Sequence, residues 1–212
     1  MASGWQYQNR GLLAPALHQF GQAEELFRTR CRGRAVEMRL CRTHMARLQQ
    51  MLGRLDELRN VEQWAREAEE REDRIAGTHL RLLTVFQLLV EDRVDSAHRC
   101  LVQARERLSE QRFGVSTMLE SLADTQLAIY TEDAALTTEI LTTHVEAIGL
   151  WVIEPWRSDR ALLTAQVHLS AALDLEQDEA DARIVLAEVA LATLEGFQRC
   201  LLYTSPSPRD RS

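Results

Sequence analysis

The chain contains no lysine: all 25 of its lysine-plus-arginine positions are arginine. That absence removes the P-loop lysine, the phosphate-binding lysine of kinases and the Schiff-base lysine from its chemistry. Aromatic residues are also scarce, at 6% of 212 residues, and there are only four prolines and nine glycines. Such a composition starves strands and loops and favours helix. No hydrophobic run approaches the roughly 20 residues of a membrane span. Residues 1–30 lack the apolar centre of a signal peptide. Positive charge is in deficit, with a net charge of −7, which argues against nucleic acid as a partner. Cys31, Cys41, Cys100 and Cys200 lack the paired spacing of a secreted scaffold and read as reduced, cytoplasmic thiols.

What is present is helical periodicity. Leu55, Leu58, Val61, Ala65 and Ala68 recur at steps of three and four, as do Val94, Ala97, Leu101, Ala104 and Leu108. Each set puts one apolar stripe on a helix. Between them, Ile75–Val90 is apolar on more than one side, as in a helix buried between neighbours. The chain is expected to turn at Gly53-Arg54, Glu91-Asp92 and Thr131-Glu132-Asp133. New helices then start near Leu55, Val94 and Ala134, 39 and 40 residues apart (94 − 55 and 134 − 94). That period fits a degenerate helix-turn-helix repeat, longer than the standard tetratricopeptide unit.

Elsewhere the pattern is similar. Pro15 suits a first helical turn, and Ala16, Phe20, Ala23, Leu26 and Phe27 form a stripe behind it. Val36, Leu40, Met45, Leu48 and Leu52 are expected inward on the next helix. Met118, Leu122, Leu127 and Ile129 line a later one, followed by Ile140, Leu141, Val145 and Ile148. This last segment carries Thr137, Thr138, Thr142 and Thr143, which weaken it intrinsically. Pro155 interrupts the stretch between Trp151 and Trp156. Two further helices are expected, over Ser158–Leu173 and Asp178–Leu194, the latter inward at Ala182, Val185, Leu186, Val189 and Leu194. The charge run Glu67–Arg74 reads as a solvated helix end with Glu67–Arg71 and Glu70–Arg74 pairs.

Phe27–Leu58, Ala65–Leu82 and Ser109–Ala135 together resemble the C-terminal tetratricopeptide-like region of large bacterial serine/threonine protein kinases. The likeness spans roughly residues 11–175 and rests on the helical pattern plus short marks such as THLRL. It implies a fragment of a signalling protein and transfers no catalytic residue, because the kinase part is not in this sequence. An all-arginine chain also suits a GC-rich bacterial source. The tail CLLYTSPSPRD (Cys200–Asp210) resembles a translated transposon-based sequencing adapter, which implies a natural sequence ending near Arg199.

The fold expected is all-α, with about nine helices in antiparallel pairs stacked as a TPR-like α-solenoid with a right-handed superhelix. Residues 1–10 form a ragged start, 11–199 the repeat domain and 200–212 a non-native or disordered tail. No catalytic, cofactor or metal site is expected. Cys41 and His44 share a helix face but lack the four ligands of a zinc site, and His79, His98, His144 and His168 stand singly. Adjacent glutamates (Glu24-Glu25, Glu69-Glu70) point about 100° apart and cannot act as one acid/base couple. Trp64, Trp151 and Trp156 read as packing between repeats. The first helix of each unit lines the concave groove of such arrays, where a protein or peptide partner binds. Arg42, His79, Arg81, Gln87, Asp124 and Gln126 are the candidate contacts there. Leu101→Ala should cost about 2–5 kcal/mol, and Arg42→Ala should leave Tm nearly unchanged. The competing readings are the sensor region of an NTPase-type transcriptional regulator and a stand-alone enzyme with a scattered site.

Overall fold

A computed structural model describes residues 1–108, 114–133 and 176–203, the side chains of 191 and 193–203 excepted, with isolated positions between 136 and 172. The helices whose bounds lie among the described residues are α1 (Ala2–Asn9), α2 (Leu13–Arg30), α3 (Ala35–Met51), α4 (Arg59–Glu70), α5 (Arg74–Val90), α6 (Val94–Leu108), α7 (Gly114–Thr131) and α8 (Gln177–Tyr203). The described residues contain no strand. The chain is all-α, as its composition demands.

One turn geometry ends five of these helices. After α4, the Glu72 N–H donates to the Glu69 carbonyl and the Asp73 N–H to that of Ala68. The same pair of bonds closes α1 at Gly11-Leu12, α3 at Gly53-Arg54, α5 at Asp92-Arg93 and α7 at Glu132-Asp133. This is the Schellman closure, which needs a left-handed residue at the turn. Gly11, Gly53, Glu72, Asp92 and Glu132 supply it, with φ between 52° and 70°. The turns expected at Gly53, Asp92 and Glu132 are all present. They are 39 and 40 residues apart (92 − 53 and 132 − 92), and Glu72 falls midway between the first two. Asp73 then starts α5 by accepting a hydrogen bond on Oδ1 from the Ala76 N–H at 3.0 Å, satisfying a first-turn donor.

Such short connections lay consecutive helices side by side. α2 packs on α3, α4 on α5, and α5 on α6. α5 also touches α3 and α7, so α3, α5 and α7 stand in one row, with α4 and α6 on either side of α5. The central place of α5 explains its two-sided apolarity: Leu80, Leu82, Leu83, Val85 and Leu89 are all buried. They join Leu58, Val61, Leu101, Met118, Leu119 and others in one aliphatic cluster. A second cluster gathers Ala16, Leu17, Phe20, Ala23, Cys41 and Leu48, with Met1, Trp5 and Tyr7 against it.

Several expectations need correction. Residues 2–9 are helical rather than ragged, because Gly4 lets α1 approach the Phe20 ring; an added Cβ there would stand 3.0 Å from it. Leu55 lies in a short 3-10 turn (Leu55–Leu58) and is exposed. Leu26, Val36 and Ile129 are exposed as well. On α8, Ala187 and Ala190 are buried while Val185, Leu186 and Val189 are exposed. Small residues allow closer backbone approach, and there they take the inward face in place of the branched ones. α8 continues through Cys200 to Tyr203, into the tail expected to be irregular. Phe113, Leu141, Val145, Ile148, His144, Trp151, Pro155, Trp156 and the four threonines lie outside the described residues, whereas Ile140 is buried as expected.

Candidate functional site

The polar residues expected to face a partner are, for the most part, ties between helices. Arg42 on α3 is 6% exposed. Its Nε donates to Glu24 Oε1 of α2 at 3.0 Å and its Nη1 to Glu67 Oε2 of α4 at 2.7 Å. The guanidinium also lies 5.5 Å from the centre of the Trp64 ring, within cation–π range. With these partners, Arg42→Ala is expected to lower Tm rather than leave it nearly unchanged. Asp124 on α7 is fully buried and accepts from Arg105 Nη2 of α6 on both oxygens at 2.6 Å, while Arg105 Nε donates to Glu120. His79 of α5 meets Ser116 Oγ of α7 at 2.8 Å. Gln87 is buried and donates to Glu91 Oε1. Gln126 is half-buried on α7.

The charge run behaves likewise. Glu67 reaches Arg42, and Glu69 accepts two bonds from Arg81, at 2.5 and 2.7 Å, and a further one from Arg107. The Arg81 hydrogen bonds hold the Glu69 carboxyl down to about 2. These carboxylates join α4 to α3, α5 and α6, where a solvated i,i+4 ladder was expected.

Cys41 and His44 are both core residues. Burial pushes the Cys41 thiol up to about 11, so it is a poor nucleophile at neutral pH. His44 lies parallel to Phe20 with ring centres 4.8 Å apart. Trp5 Nε1–H donates to His44 Nε2 at 3.0 Å, and the Nδ1 side faces Gln8 Oε1 at 3.0 Å. That arrangement calls for a neutral ring protonated on Nδ1. Burial lowers its pKa to about 3, and a proton on Nε2 would also cancel the Trp5 bond. Among the described residues, no three His, Cys, Asp or Glu side chains are grouped to hold a metal ion.

Arg81, besides pairing with Glu69, lines an open groove. α4 and α6 form its walls and α5 its floor, enclosing about 280 Å³. Arg66, Arg81, Arg93 and Arg99 line it together with Glu62 and the buried Ala65, Leu88 and Cys100. Four guanidiniums thus meet one carboxylate in a chain of net charge −7. Glu69 neutralises Arg81, and Glu91 Oε2 stands 3.0 Å from Arg93. Among the described residues Arg66 pairs only with the exposed Glu62, at 3.6 Å, and Arg99 donates to the neutral Ser96 Oγ at 3.1 Å. The weakly paired Arg66 and the acid-free Arg99 therefore carry the least compensated charge, one on each wall. A wider cleft of about 700 Å³ is lined by Glu69, Glu72, Glu106, Arg74 and Arg107, so its charges largely offset, with one carboxylate in excess. Sequence periodicity shows that Arg66 and Arg99 are outward on their helices, but not that two outward faces converge.

Set against protein-family models, curated proteins and solved structures, the chain returns no match in any of the three. Among the described residues no helix is long and apolar enough to cross a membrane.

Proposed function

We propose that this chain is a non-catalytic interaction module, a TPR-like right-handed stack of antiparallel helix pairs that binds a protein or peptide. We further propose that it belongs to the C-terminal sensor region of a bacterial serine/threonine protein kinase and works in the cytoplasm. The observation that carries the first part is the recurrence of one helix-ending turn at Gly53, Asp92 and Glu132, with Glu72 between the first two. A unit that repeats its turn at a fixed interval repeats its helix pair, and repeats stack. The groove over α5 offers such a stack a surface for recognition. The kinase assignment rests on the sequence resemblance across residues 11–175. Sequencing the DNA that flanks this reading frame tests it. A kinase domain upstream in the same frame supports the assignment. A DNA-binding helix-turn-helix domain in the same frame would replace it with the transcriptional-regulator reading.

A further inference from the structure

We propose that the groove between α4 and α6 takes a carboxylate-rich segment of a protein partner, with Arg66 and Arg99 as its two anchoring cations. The inference rests on the reading of the chain as an interaction module and adds the chemistry of what it binds. Arg66 and Arg99 project from opposite walls of one groove, and neither is fully neutralised. Arginine presents a planar fork of donors that suits a carboxylate in two-point contact. Between them the groove shows only the edges of Ala65 and Leu88, 3% and 8% exposed, which leaves room for small side chains and little apolar surface to cover. That combination suits an extended segment alternating acidic and small apolar side chains. A uniformly acidic surface would gain nothing from the floor, and a uniformly apolar one would strand the guanidiniums.

The ion pairs already in place set the strength of the effect. Glu62 and Arg66 are both more than half exposed, and such a pair contributes little. An incoming carboxylate can replace Glu62 as the partner of Arg66 at small cost. Arg81 and Arg93 keep Glu69 and Glu91 as their partners and add little net charge.

The test is fluorescence anisotropy on the full chain with a short labelled peptide alternating Glu and Ala, its Gln-for-Glu counterpart and a phosphoserine version. The Glu peptide is expected to bind, and binding should weaken with salt. Arg66→Glu and Arg99→Glu should each raise Kd by about tenfold. Arg30→Glu, the same charge change on exposed α2, should leave Kd within about twofold. Circular dichroism confirms that each variant is folded. Equal losses in all three variants mean general charge attraction and overturn the proposal, as does equal binding of the Gln peptide. A marked preference for the phosphoserine peptide overturns the carboxylate assignment. The flanking-DNA test is independent, so a groove that ignores the Glu peptide overturns this inference whatever domain lies upstream.

Discussion

Around α4 to α7 the interior is aliphatic: Leu80, Leu82, Leu83, Val85, Leu101 and Leu119 meet one another with alanines between. Around α1 to α3 a stack of rings stands among Ala16, Leu17, Ala23 and Leu48. Phe20 lies flat on His44, Trp5 meets His44 edge-on, and Gln8 completes the box. Aliphatic packing is non-directional and tolerates small shifts. A ring stack with hydrogen bonds fixed at both imidazole nitrogens depends on each member holding its place. The first core should therefore fail gradually and the second abruptly.

The sharpest way to break that comparison is to delete one large side chain from each core. Phe20→Ala should cost about 3–5 kcal/mol, because it leaves a cavity and removes the surface on which His44 lies. Leu101→Ala should cost about 2–5 kcal/mol, toward the lower end if neighbouring leucines relax into the space. Urea unfolding followed by circular dichroism measures both. A Phe20→Ala loss well below that of Leu101→Ala would mean the ring stack is dispensable.

The second test moves from rings to charge. Arg42→Ala should cost about 1–3 kcal/mol, since Glu24 and Glu67 would lose their shared partner, although Glu67 is 29% exposed and keeps Gln63. Arg66→Ala, on an exposed face of α4, should change stability by no more than about 0.5 kcal/mol. Thermal unfolding separates the two. Similar small shifts in both would restore Arg42 to the role of a surface contact.

Arg42 also shows where sequence reading reaches its limit. The apolar stripes of α4 and α6 were legible because their buried residues are apolar, and so was the two-sided burial of α5. On α3 the rule fails. Its fully buried run includes Arg42, Thr43, His44, Arg47, Gln49 and Gln50, which periodicity assigns to solvent. Arg42, His44 and Gln50 find partners far along the chain, as when Gln50 Nε2 donates to the Leu83 carbonyl at 2.9 Å, whereas Thr43 Oγ1 and Gln49 Oε1 are buried with no hydrogen-bond partner among the described residues. A pairing over 33 residues leaves no trace in local spacing. The one available signal was steric: six polar residues on about two and a half turns cannot all point outward on a helix flanked on both sides. The groove was hidden for a related reason, since Arg66 and Arg99 converge only once α5 separates their helices.

Acid offers a gentler test, because each core holds one buried histidine. Burial lowers His44 to about 3 and, with help from Arg39, His79 to about 4; Asp73 opposes that shift. Above the ordinary value of 6.5 both rings are neutral, folded or unfolded, and stability does not depend on them. As pH falls below 6.5, the unfolded chain binds protons that the fold refuses, so stability falls with pH until the folded values are reached. One unit below 6.5, each histidine should have removed about 1.4 kcal/mol. Glu69 begins to lose its contribution only below 4.5, so the interval between 6.5 and 4.5 isolates the imidazoles from it. His44→Gln should remove about half of that slope, read from urea midpoints across the interval. An unchanged slope would mean that His44 is protonated in the folded state.

The smallest expected effect concerns the turns, where the two halves of the chain differ again. The left-handed positions of the first part are Gly11, Gly33 and Gly53, whereas the later ones are Glu72, Asp92 and Glu132. A residue with a Cβ is strained there by roughly 1–2 kcal/mol, and glycine relieves this at an entropic cost of about 0.5–1 kcal/mol. Glu72→Gly should therefore stabilise the chain by about 0.5–1 kcal/mol, seen as a small rise in Tm. Asp92→Gly relieves the same strain but removes the acceptor of the Tyr130 hydroxyl, which donates to Asp92 Oδ1 at 2.7 Å. Its gain should be smaller than that of Glu72→Gly, or absent. If Asp92→Gly proved the more stabilising of the two, the Tyr130 bond would contribute nothing, and the later turns would be tolerating strain with no contact in return.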